Sequence, residues 1–500
     1  MPALAQDVRL LSLDGTIELE GDLLSYDGAF YRVDTIYGPL TVDAEGVSCA
    51  GPGCPDLTTF VAEARLTGAA TVATGLIPAL LDGFATSRGL TLSTTTLPNG
   101  ALRFDMVRQN GSTAARFTVT PDTTDNGFLA LLNGDTDMAL ALREPSLVEQ
   151  RAALAQAPDD PALIQRVRVI ALDALVPVVA ARNPADAISL PDLARFFGGE
   201  IDNWLDLGGP DAPVSRHMLS PGLGLSQGFI TRLFGTDPNA LSETVVFHDT
   251  AEALTAAVER DAYAIGITAQ SMAGPTQALP IQGMCGFSQR ASVNAVKAED
   301  YPLTAPIYLY LAPQRLPPLV RDFLAFTETA AAEQAVAASG FVNQTLTRTP
   351  LAAQGMRLAN AISAAGSEVS LPELQTVLSE LATAERLSST FRFGEGSIDL
   401  DAPSRASAAR LAAAIEQGRF DGRRLIFAGF SDGNGQADVN ARLSLRRADA
   451  ARDAVVALAG ASAPNRVEIV TRGYGEAMPL ACDDSDWGRA VNRRVEVWLD

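Results

Sequence analysis

The chain has 500 residues, 47% of them hydrophobic, which is too many for one hydrophobic core and predicts two to four domains. The formal net charge is -21 at pH 7, and no segment clusters Lys and Arg. Nucleic acid and anionic membranes are polyanions that need such clusters, so this balance argues against both as the main partner.

The first seven residues contain Ala3-Leu4-Ala5, which is similar to the end of a secretory signal whose charged and apolar parts are missing. We expect an exported, periplasmic protein whose mature form starts near Gln6, although an ordinary polar N-terminus explains these residues equally well. No cysteine stands directly after this point, which argues against a lipoprotein anchor. No run of about eighteen apolar residues is present, so no transmembrane segment is expected.

Residues 6–60 alternate apolar and polar side chains in short runs that are separated by Asp-Gly and Gly-Pro turns. This pattern predicts a small β-meander, which we expect to pack on a neighbouring domain because about forty residues seldom fold alone. Cys49 and Cys54 flank Ala50-Gly51-Pro52-Gly53, a turn-forming tetrad that can bring the two thiols within bonding reach. We expect a disulfide between them in an oxidising compartment.

The other two cysteines, Cys285 and Cys482, either bridge two domains or remain buried thiols, and the sequence leaves both possibilities open. A zinc site is not expected, because the chain has only two histidines, His217 and His248, and neither stands at metal-ligand spacing from a cysteine. We expect no metal and no cofactor.

Residues 63–346 change to strands and helices in alternation, which predicts parallel sheets with helical crossovers. Five stretches of this region belong together: Val169–Val179, Asn183-Pro184, Gly199–Gly209, Ala264–Ile267 and Tyr301–Tyr308. They look like the phosphate-binding family of periplasmic substrate-binding proteins, and the closing helix from Leu319 to Gly340 fits as well. The resemblance implies two α/β lobes joined by a hinge, with a ligand held in the cleft between them.

The residues that would hold a ligand depart from that family. Its Ser-Gly-Thr motif aligns with Leu223-Gly224-Leu225, where both hydroxyls are missing. Its second anion loop aligns near Asp122–Gly127, where two carboxylates would repel a dianion in a desolvated site. We therefore expect a ligand other than phosphate.

The expected cleft contains four polar residues of mixed charge: Thr74, Asp137, Arg143 and Arg216. By the resemblance, Asp137 matches the family's ligand-binding aspartate, and Arg216 lies near its ligand-binding arginine. Such a set suits a zwitterionic or polyhydroxyl ligand better than an inorganic anion. The alternative is that Asp137 and Arg143 form a structural ion pair in a cleft that no longer binds a small molecule.

Residues 347–390 show helical patterns at Met356–Ile362 and Leu371–Leu387, and Gly366 and Pro372 punctuate them. Ser370 is a candidate N-cap for the second pattern. We expect a helical connector, which would hold the flanking domains at a limited set of angles, unlike a flexible Gly/Ser tether.

Residues 391–500 contain a strand followed closely by a helix. The run Arg424–Phe430 ends in apolar residues and predicts a buried strand, and Ser431–Gly435 predicts the turn that ends it, so that Asp432 lies at the strand tip. From about Gln436 to Leu458 the apolar residues stand near helical spacing, which places Arg447 on a helix that begins just beyond that tip. One carboxylate and one guanidinium can then face the same groove.

The same region carries five separated blocks in a recognisable order: Gly429–Asp432, Asn440 with Leu443-Ser444, Arg447-Ala448, Gly473–Glu476 with Pro479, and Asn492–Glu496. They resemble the OmpA-like peptidoglycan-binding domain. The resemblance implies that Asp432 pairs with the ammonium of diaminopimelate and Arg447 grips its carboxylate, with support from Asn440 and Arg494. The family usually has His-Thr where this chain has Phe430-Ser431. The alternative is that Asp432 and Arg447 only pair with each other or cap the helix.

Together these patterns predict an α/β multidomain protein with a small N-terminal β-meander, a two-lobed α/β domain and a C-terminal OmpA-like α/β sandwich. The expected function is a non-enzymatic periplasmic protein that docks non-covalently to peptidoglycan and presents its lobes to a small solute or an envelope protein. One alternative is a cell-envelope scaffold whose lobes no longer bind a small ligand. Another is a cleft hydrolase that uses His217, although no serine or cysteine partner is evident.

Overall fold

The structure is a computed structural model that describes residues 7–56, 60–156, 166–221, 223–235, 240–364, 369–394, 396–460 and 466–500. The tripeptide that is similar to a signal end lies outside these ranges. The chain divides into two compact units, unit 1 with Met1–Val167 and Leu309–Ser339, and unit 2 with Arg168–Tyr308 and Gly340–Asp500. Within the described ranges, every helix is too short or too polar to cross a bilayer.

The N-terminal part of unit 1 is an antiparallel sheet in the order β4-β3-β2-β1-β5. Its strands are β1 Val8–Ser12, β2 Glu18–Tyr26, β3 Phe30–Thr35, β4 Gly38–Asp43 and β5 Val47–Ala50. A disulfide joins Cys49 to Cys54, with Cα atoms 5.8 Å apart, as the spacing predicts. Arg315, elsewhere in unit 1, lies 3.6 Å from the Phe30 ring centre and 2.6 Å from Asp27. The meander therefore packs against the lobe that follows it.

The lobe of unit 1 is a mixed sheet in the order β10-β6-β9-β8-β7. Its strands are β6 Ala62–Ala69, β7 Thr91–Thr96, β8 Leu102–Val107, β9 Thr113–Asp122 and β10 Met138–Ala141, and its first helices are α1 Ile77–Ser87, α2 Thr124–Asn133 and α3 Leu147–Gln156. Strand β6 pairs in parallel with β9 and β10, whereas β8 pairs antiparallel with both β9 and β7. The predicted parallel pairing is therefore confirmed for β10, β6 and β9 but not for β8 and β7.

The lobe of unit 2 follows the same plan, with parallel pairs β12–β13 and β12–β14 and an antiparallel β11–β14 pair. Its strands are β11 Val167–Val179, β12 Ser215–Leu219, β13 Val246–His248, β14 Ala264–Ala269, β15 Gln277–Ala278, β16 Ile281–Gln282, β17 Ser288–Gln289 and β18 Thr304–Leu311. Its helices are α4 Leu190–Gly198, α5 Gly224–Phe234, α6 Ala251–Arg260 and α7 Val293–Lys297. Every residue of β14 is buried, as expected for a strand covered on both faces.

Two helices, α8 Pro318–Phe326 and α9 Ala330–Ala338, return the chain to unit 1. They pack beside α1, where the Phe84 ring centre lies 5.6 Å from those of Phe323 and Phe326. This aromatic cluster closes the core of the first lobe.

The C-terminal part of unit 2 is a sheet in the order β19-β20-β23-β21-β22, with helices on both faces. Its strands are β19 Arg348–Pro350, β20 Glu385–Arg392, β21 Arg424–Phe430, β22 Glu468–Gly473 and β23 Arg494–Leu499. Its helices are α10 Gly355–Ala364, α11 Leu371–Leu381, α12 Ala402–Glu416, α13 Ala437–Leu458 and α14 Asp486–Asn492. On one face Val495 and Val497 of β23 pack with α12 and α13, and on the other Trp498 packs with α11.

Residues 347–390 differ from the expected helical connector. Ser370 caps α11 as predicted, with Glu373 completing a capping box. However, α11 buries Leu374 and Val377 against the sheet, and β19 and β20 are strands of that sheet. An amphipathic helix has the same apolar periodicity whether it links domains or packs on a sheet, so the pattern did not separate the two cases.

Unit 2 joins its lobe to its C-terminal sheet covalently. A disulfide connects Cys285 to Cys482, with Cα atoms 5.7 Å apart. Beside it, the Asp484 carboxylate accepts a 2.6 Å hydrogen bond from the Met284 backbone N–H. Trp487 Nε1 donates a hydrogen bond to the Arg232 carbonyl over 3.1 Å. This disulfide and these two hydrogen bonds therefore connect the lobe to the C-terminal domain.

Candidate functional site

Small residues let α13 lie directly on the sheet next to the predicted site. A Cβ atom at Gly429 would lie 2.0 Å from the Ser444 carbonyl oxygen, and one at Gly473 would lie 2.7 Å from that of Ala441. Only glycine fits such an approach of helix backbone to strand backbone. The close packing brings the loop after β21, which carries Asp432, near the middle of α13, which carries Arg447. The contact between strand backbone and helix backbone therefore determines how near these two residues lie to each other.

Asp432 lies in the loop after β21 and is 8% exposed. Its Oδ2 atom accepts a 2.7 Å hydrogen bond from Arg493 Nη1. The acid at the strand tip therefore already faces one cation, and that cation is Arg493 rather than Arg447. The alternative that Asp432 pairs with Arg447 is therefore not the pairing in the structure, where Asp432 pairs with Arg493.

Arg447 is fully buried, and the loop between β20 and α12 holds its guanidinium. Nε donates to the Ser397 carbonyl over 3.1 Å and Nη2 donates to the Gly394 carbonyl over 2.9 Å. Nη1 is buried and has no hydrogen-bond partner among the described residues. Burial, with the Arg493 charge added to it, lowers the pKa of Arg447 to about 10, so the side chain is still cationic at neutral pH.

Asn440 holds the loop that carries Asp432. Its Nδ2 atom donates to the carbonyls of Asp432 and Asn434, over 3.3 Å and 3.0 Å, and to Glu476 Oε1 over 2.7 Å. These bonds fix the backbone of the strand tip against the start of α13. The structure therefore brings Asn440 together with Asp432, as the resemblance implies.

Arg494 lies elsewhere, and its expected place in the site needs a correction. It is fully buried, donates from Nε to Glu496 Oε1 over 2.6 Å and lies 4.3 Å from the Phe430 ring centre. Alternation along β23 puts its side chain on the face opposite Val495, which packs on the α13 side of the sheet. Burial lowers the pKa of Arg494 to about 9, and its described contacts belong to the domain interior.

Two residues at the site were missed in the sequence, Arg493 and Asp483. Asp483 Oδ2 accepts the Gly433 backbone N–H over 2.8 Å, and its Oδ1 accepts Asn492 Nδ2 over 2.9 Å. Burial raises the pKa of Asp483. Arg493 stands just before β23, so its side chain does not follow the inward and outward alternation of that strand. This position in the sequence could have favoured Arg493 over Arg494 as the site residue.

The predicted cleft residues of unit 1 are all engaged by neighbours of their own unit. Asp137 accepts from the backbone N–H and from Nη2 of Arg65, over 2.7 Å and 2.9 Å. Arg143 pairs with Glu149 over 2.8 Å and also contacts Asp125. Thr74 is exposed and its hydroxyl donates to the Ala70 carbonyl over 2.8 Å. The proposed ion pair between Asp137 and Arg143 is wrong, because each has a different partner.

Arg216, the predicted cleft residue of unit 2, is buried at 3% exposure. It donates to the Ile201 carbonyl over 2.5 Å and to the Thr244 hydroxyl over 2.8 Å, and it contacts Asp202. Next to it, His217 Nδ1 lies 2.9 Å from His248 Nε2. Burial, followed by the nearby His248, lowers the pKa of His217, so this imidazole is neutral at pH 7.

Two family profiles match different parts of the chain. The PBP superfamily domain matches residues 61–330, and the OmpA family matches residues 392–493.

Curated relatives match only the C-terminal part. Outer membrane porin F of Pseudomonas fluorescens is 45% identical over 73 residues, which are 15% of this chain and 21% of that protein. The probable lipoprotein YiaD of Escherichia coli (strain K12) is 41% identical over 71 residues, 14% of this chain and 31% of that protein. The chain thus spans less than a third of the length of these relatives.

Solved structures similar to the lobes include a putative phosphate ABC transporter substrate-binding protein from Clostridium perfringens, with bound phosphate. It has a TM-score of 0.43 and 16% identity, over 56% of this chain and 99% of that one. An ABC-type phosphate transport receptor from Vibrio cholerae gives the same values. With the first profile covering more than half of its length, the chain belongs to the PBP superfamily, and it carries a C-terminal OmpA family domain.

Proposed function

We propose that this protein is a non-enzymatic periplasmic protein that docks non-covalently to peptidoglycan through its C-terminal domain. The lobes then present a binding surface for a solute other than phosphate or for an envelope protein. The OmpA family match and the similarity to an outer-membrane porin and a lipoprotein support a place in the cell envelope. Membership of the PBP superfamily supports a binding role for the lobes.

The observation that carries the docking proposal is the unpartnered Nη1 of Arg447. Two backbone carbonyls already fix the guanidinium, so it is oriented before any ligand arrives. An unsatisfied buried N–H costs about 1–3 kcal/mol, and a ligand carboxylate that accepts from it recovers that free energy. The free end of diaminopimelate offers such a carboxylate and an ammonium on one carbon, and Asp432 supplies the acceptor for the ammonium.

The test is retention of the purified protein on peptidoglycan sacculi. Asp432→Ala and Arg447→Ala should each lose retention, because each removes one of the two charges that the ligand meets. Arg446→Ala is the matched control, since Arg446 is the exposed neighbour of Arg447 on α13. Retention of both site variants at the level of the control would refute the docking site.

A ligand other than phosphate is supported by the N-terminus of α2. Helix N-termini bind anions through free backbone N–H groups. Here Thr123 caps the helix, and Asp122 Oδ1 accepts a hydrogen bond from the Thr123 N–H over 2.7 Å. Asp125, in the first turn of the helix, pairs with Arg143. These carboxylates add negative charge at this N-terminus and would repel a phosphate there.

The second candidate function is an envelope scaffold whose lobes hold no small ligand. It is supported by the internal partners of Asp137, Arg143 and Arg216. A thermal-shift screen of phosphate, amino acids, sugars and wall fragments separates the two, because a ligand that binds only the folded state raises its melting temperature. A hit among the amino acids or sugars supports solute capture, a hit with phosphate contradicts the proposed ligand class, and no hit with any of these solutes supports the scaffold. A hydrolase has no support in the contacts of His217, whose close neighbour is another imidazole.

A further inference from the structure

A pocket with several charged residues in its lining lies within unit 2, where the lobe meets the C-terminal domain. Its volume is about 490 Å³, within the range of small-molecule sites. Residues 288–300 of the lobe form one wall, and residues 347–360 and 386–388 form the other. The Cys285–Cys482 disulfide and a hydrogen bond from Gln289 to the Leu480 carbonyl also join the lobe to the C-terminal domain.

The charged groups that line the pocket are Arg290, Arg357, Arg386 and the carboxylate of Asp300. The buried carboxylate of Glu496 also contacts Arg357 and Arg386, so three guanidinium groups meet two carboxylates. Arg386 Nη2 already holds Asp300 over 2.9 Å, and Arg392 lies 3.3 Å from the same acid. The pocket therefore presents net positive charge to anything that enters it.

Two buried polar atoms in the pocket residues have unused hydrogen-bonding capacity. Arg357 is 8% exposed; its Nη2 donates to Glu496 over 2.5 Å and its Nη1 donates to Gln354 over 3.0 Å. Its Nε hydrogen has no hydrogen-bond partner within the described ranges, and neither does the buried acceptor Gln289 Oε1. Native proteins rarely leave buried polar atoms unpaired, so an unpaired donor and an unpaired acceptor on two residues that line one pocket indicate a partner that the described residues do not supply.

We infer that this pocket binds a small polyhydroxyl molecule that carries one oxyanion, either a phosphate or a carboxylate. The arginines accept the oxyanion in the planar, forked geometry that guanidinium favours. The ligand hydroxyls donate to Gln289 and bond to the serine, threonine and asparagine side chains that complete the lining. This site is separate from Asp432 and Arg447 and does not depend on the docking proposal.

Calorimetric titration of the full chain with glucose 6-phosphate, glucuronate, glucose and inorganic phosphate tests the inference. We expect at least one of the two charged sugars to bind, and to bind more tightly than glucose or inorganic phosphate. The phosphate and carboxylate arms show which oxyanion the site prefers. Absence of binding by both charged sugars at millimolar concentration would overturn the inference.

Matched variants locate the binding. Ala352 and Ala353 are adjacent, exposed alanines, and only Ala353 lines the pocket, so Ala353→Trp should block binding and Ala352→Trp should leave it unchanged. Arg290→Gln should weaken binding about tenfold, as the loss of one charge-assisted hydrogen bond does, whereas Arg195→Gln on α4 should not. Equal affinity of the two tryptophan variants would contradict the assignment. Retention of Ala353→Trp on sacculi should match wild type, which keeps this result independent of wall docking.

Discussion

Arg493 Nη1 donates a 2.7 Å hydrogen bond to Asp432 Oδ2, so the acid proposed to bind an ammonium group already has a positive partner. The same guanidinium adds to the burial that lowers the pKa of Arg447. Arg493 thus acts on both members of the proposed binding pair. An incoming ammonium has to share Asp432 with Arg493 or displace it.

Replacement of Arg493 by glutamine should tighten binding to sacculi by a few-fold. The substitution frees Asp432 for the ligand ammonium and removes a charge that opposes Arg447. The measurement is the dissociation constant for sacculi, with Arg466→Gln as the control because Arg466 pairs with Asp421 instead. Weaker binding by Arg493→Gln would show that Arg493 positions Asp432 rather than competing for it.

The two disulfides should contribute unequally to stability. In the chain-entropy account, a closed loop of 197 residues is worth about 5 kcal/mol and one of 5 residues about 2 kcal/mol. The double variant Cys285→Ser, Cys482→Ser should therefore lose more unfolding free energy in urea than Cys49→Ser, Cys54→Ser. Equal losses would indicate that Cys285–Cys482 spans a region already held by other contacts.

Glu496 should be essential to the C-terminal domain. It is fully buried, and Arg357, Arg386 and Arg494 all lie within 3.3 Å of its carboxylate. Glu496→Gln leaves these buried cations without their shared partner and should cost about 3–5 kcal/mol of unfolding free energy. Glu468→Gln, an exposed position on β22, is the control in the same urea titration. A loss of similar size in both variants would contradict the account.

Glu299 should make stability fall as pH rises. Burial, then the neighbouring Asp401, raises the pKa of Glu299 from 4.5 to about 8. Between those values the folded state keeps a proton that the unfolded state releases, so folding loses stability across this window. Glu299→Gln removes that titration and should stabilise the protein by about 4 kcal/mol at pH 8 relative to pH 4. The Glu468→Gln control should show no such difference, and an equal effect of Glu299→Gln at both pH values would rule out the raised pKa.

Local patterns were enough to predict the strand–turn–helix that carries the candidate site. The strand Arg424–Phe430 has the predicted bounds, and the helix begins at Ala437, one residue later than expected. Their signals are short-range: an apolar run, a glycine-rich turn and helical spacing. The Cys49–Cys54 bond was predictable for the same reason, since its ends are only five positions apart in the sequence.

Contacts between residues far apart in the chain could not be predicted from local sequence patterns. Arg493 and Arg494 are adjacent and chemically identical in sequence, and only the strand alternation that starts at Arg494 sends one inward and leaves the other at Asp432. The partners of Asp137 and Arg143 come from other elements, Arg65 on β6 and Glu149 on α3, which charge patterning along the chain does not reveal. The Cys285–Cys482 bond joins residues 197 positions apart, so it depends on the packed fold.

Binding of stem peptides that differ by one carboxylate tests the central claim most directly. A peptide with diaminopimelate in its third position has a free carboxylate that the corresponding lysine peptide lacks, and Arg447 Nη1 is the proposed donor to it. Calorimetry should show tighter binding of the diaminopimelate peptide to wild type, and Arg447→Lys should remove most of that preference because an ammonium cannot reproduce the fork. Equal affinity of wild type for the two peptides would contradict the account.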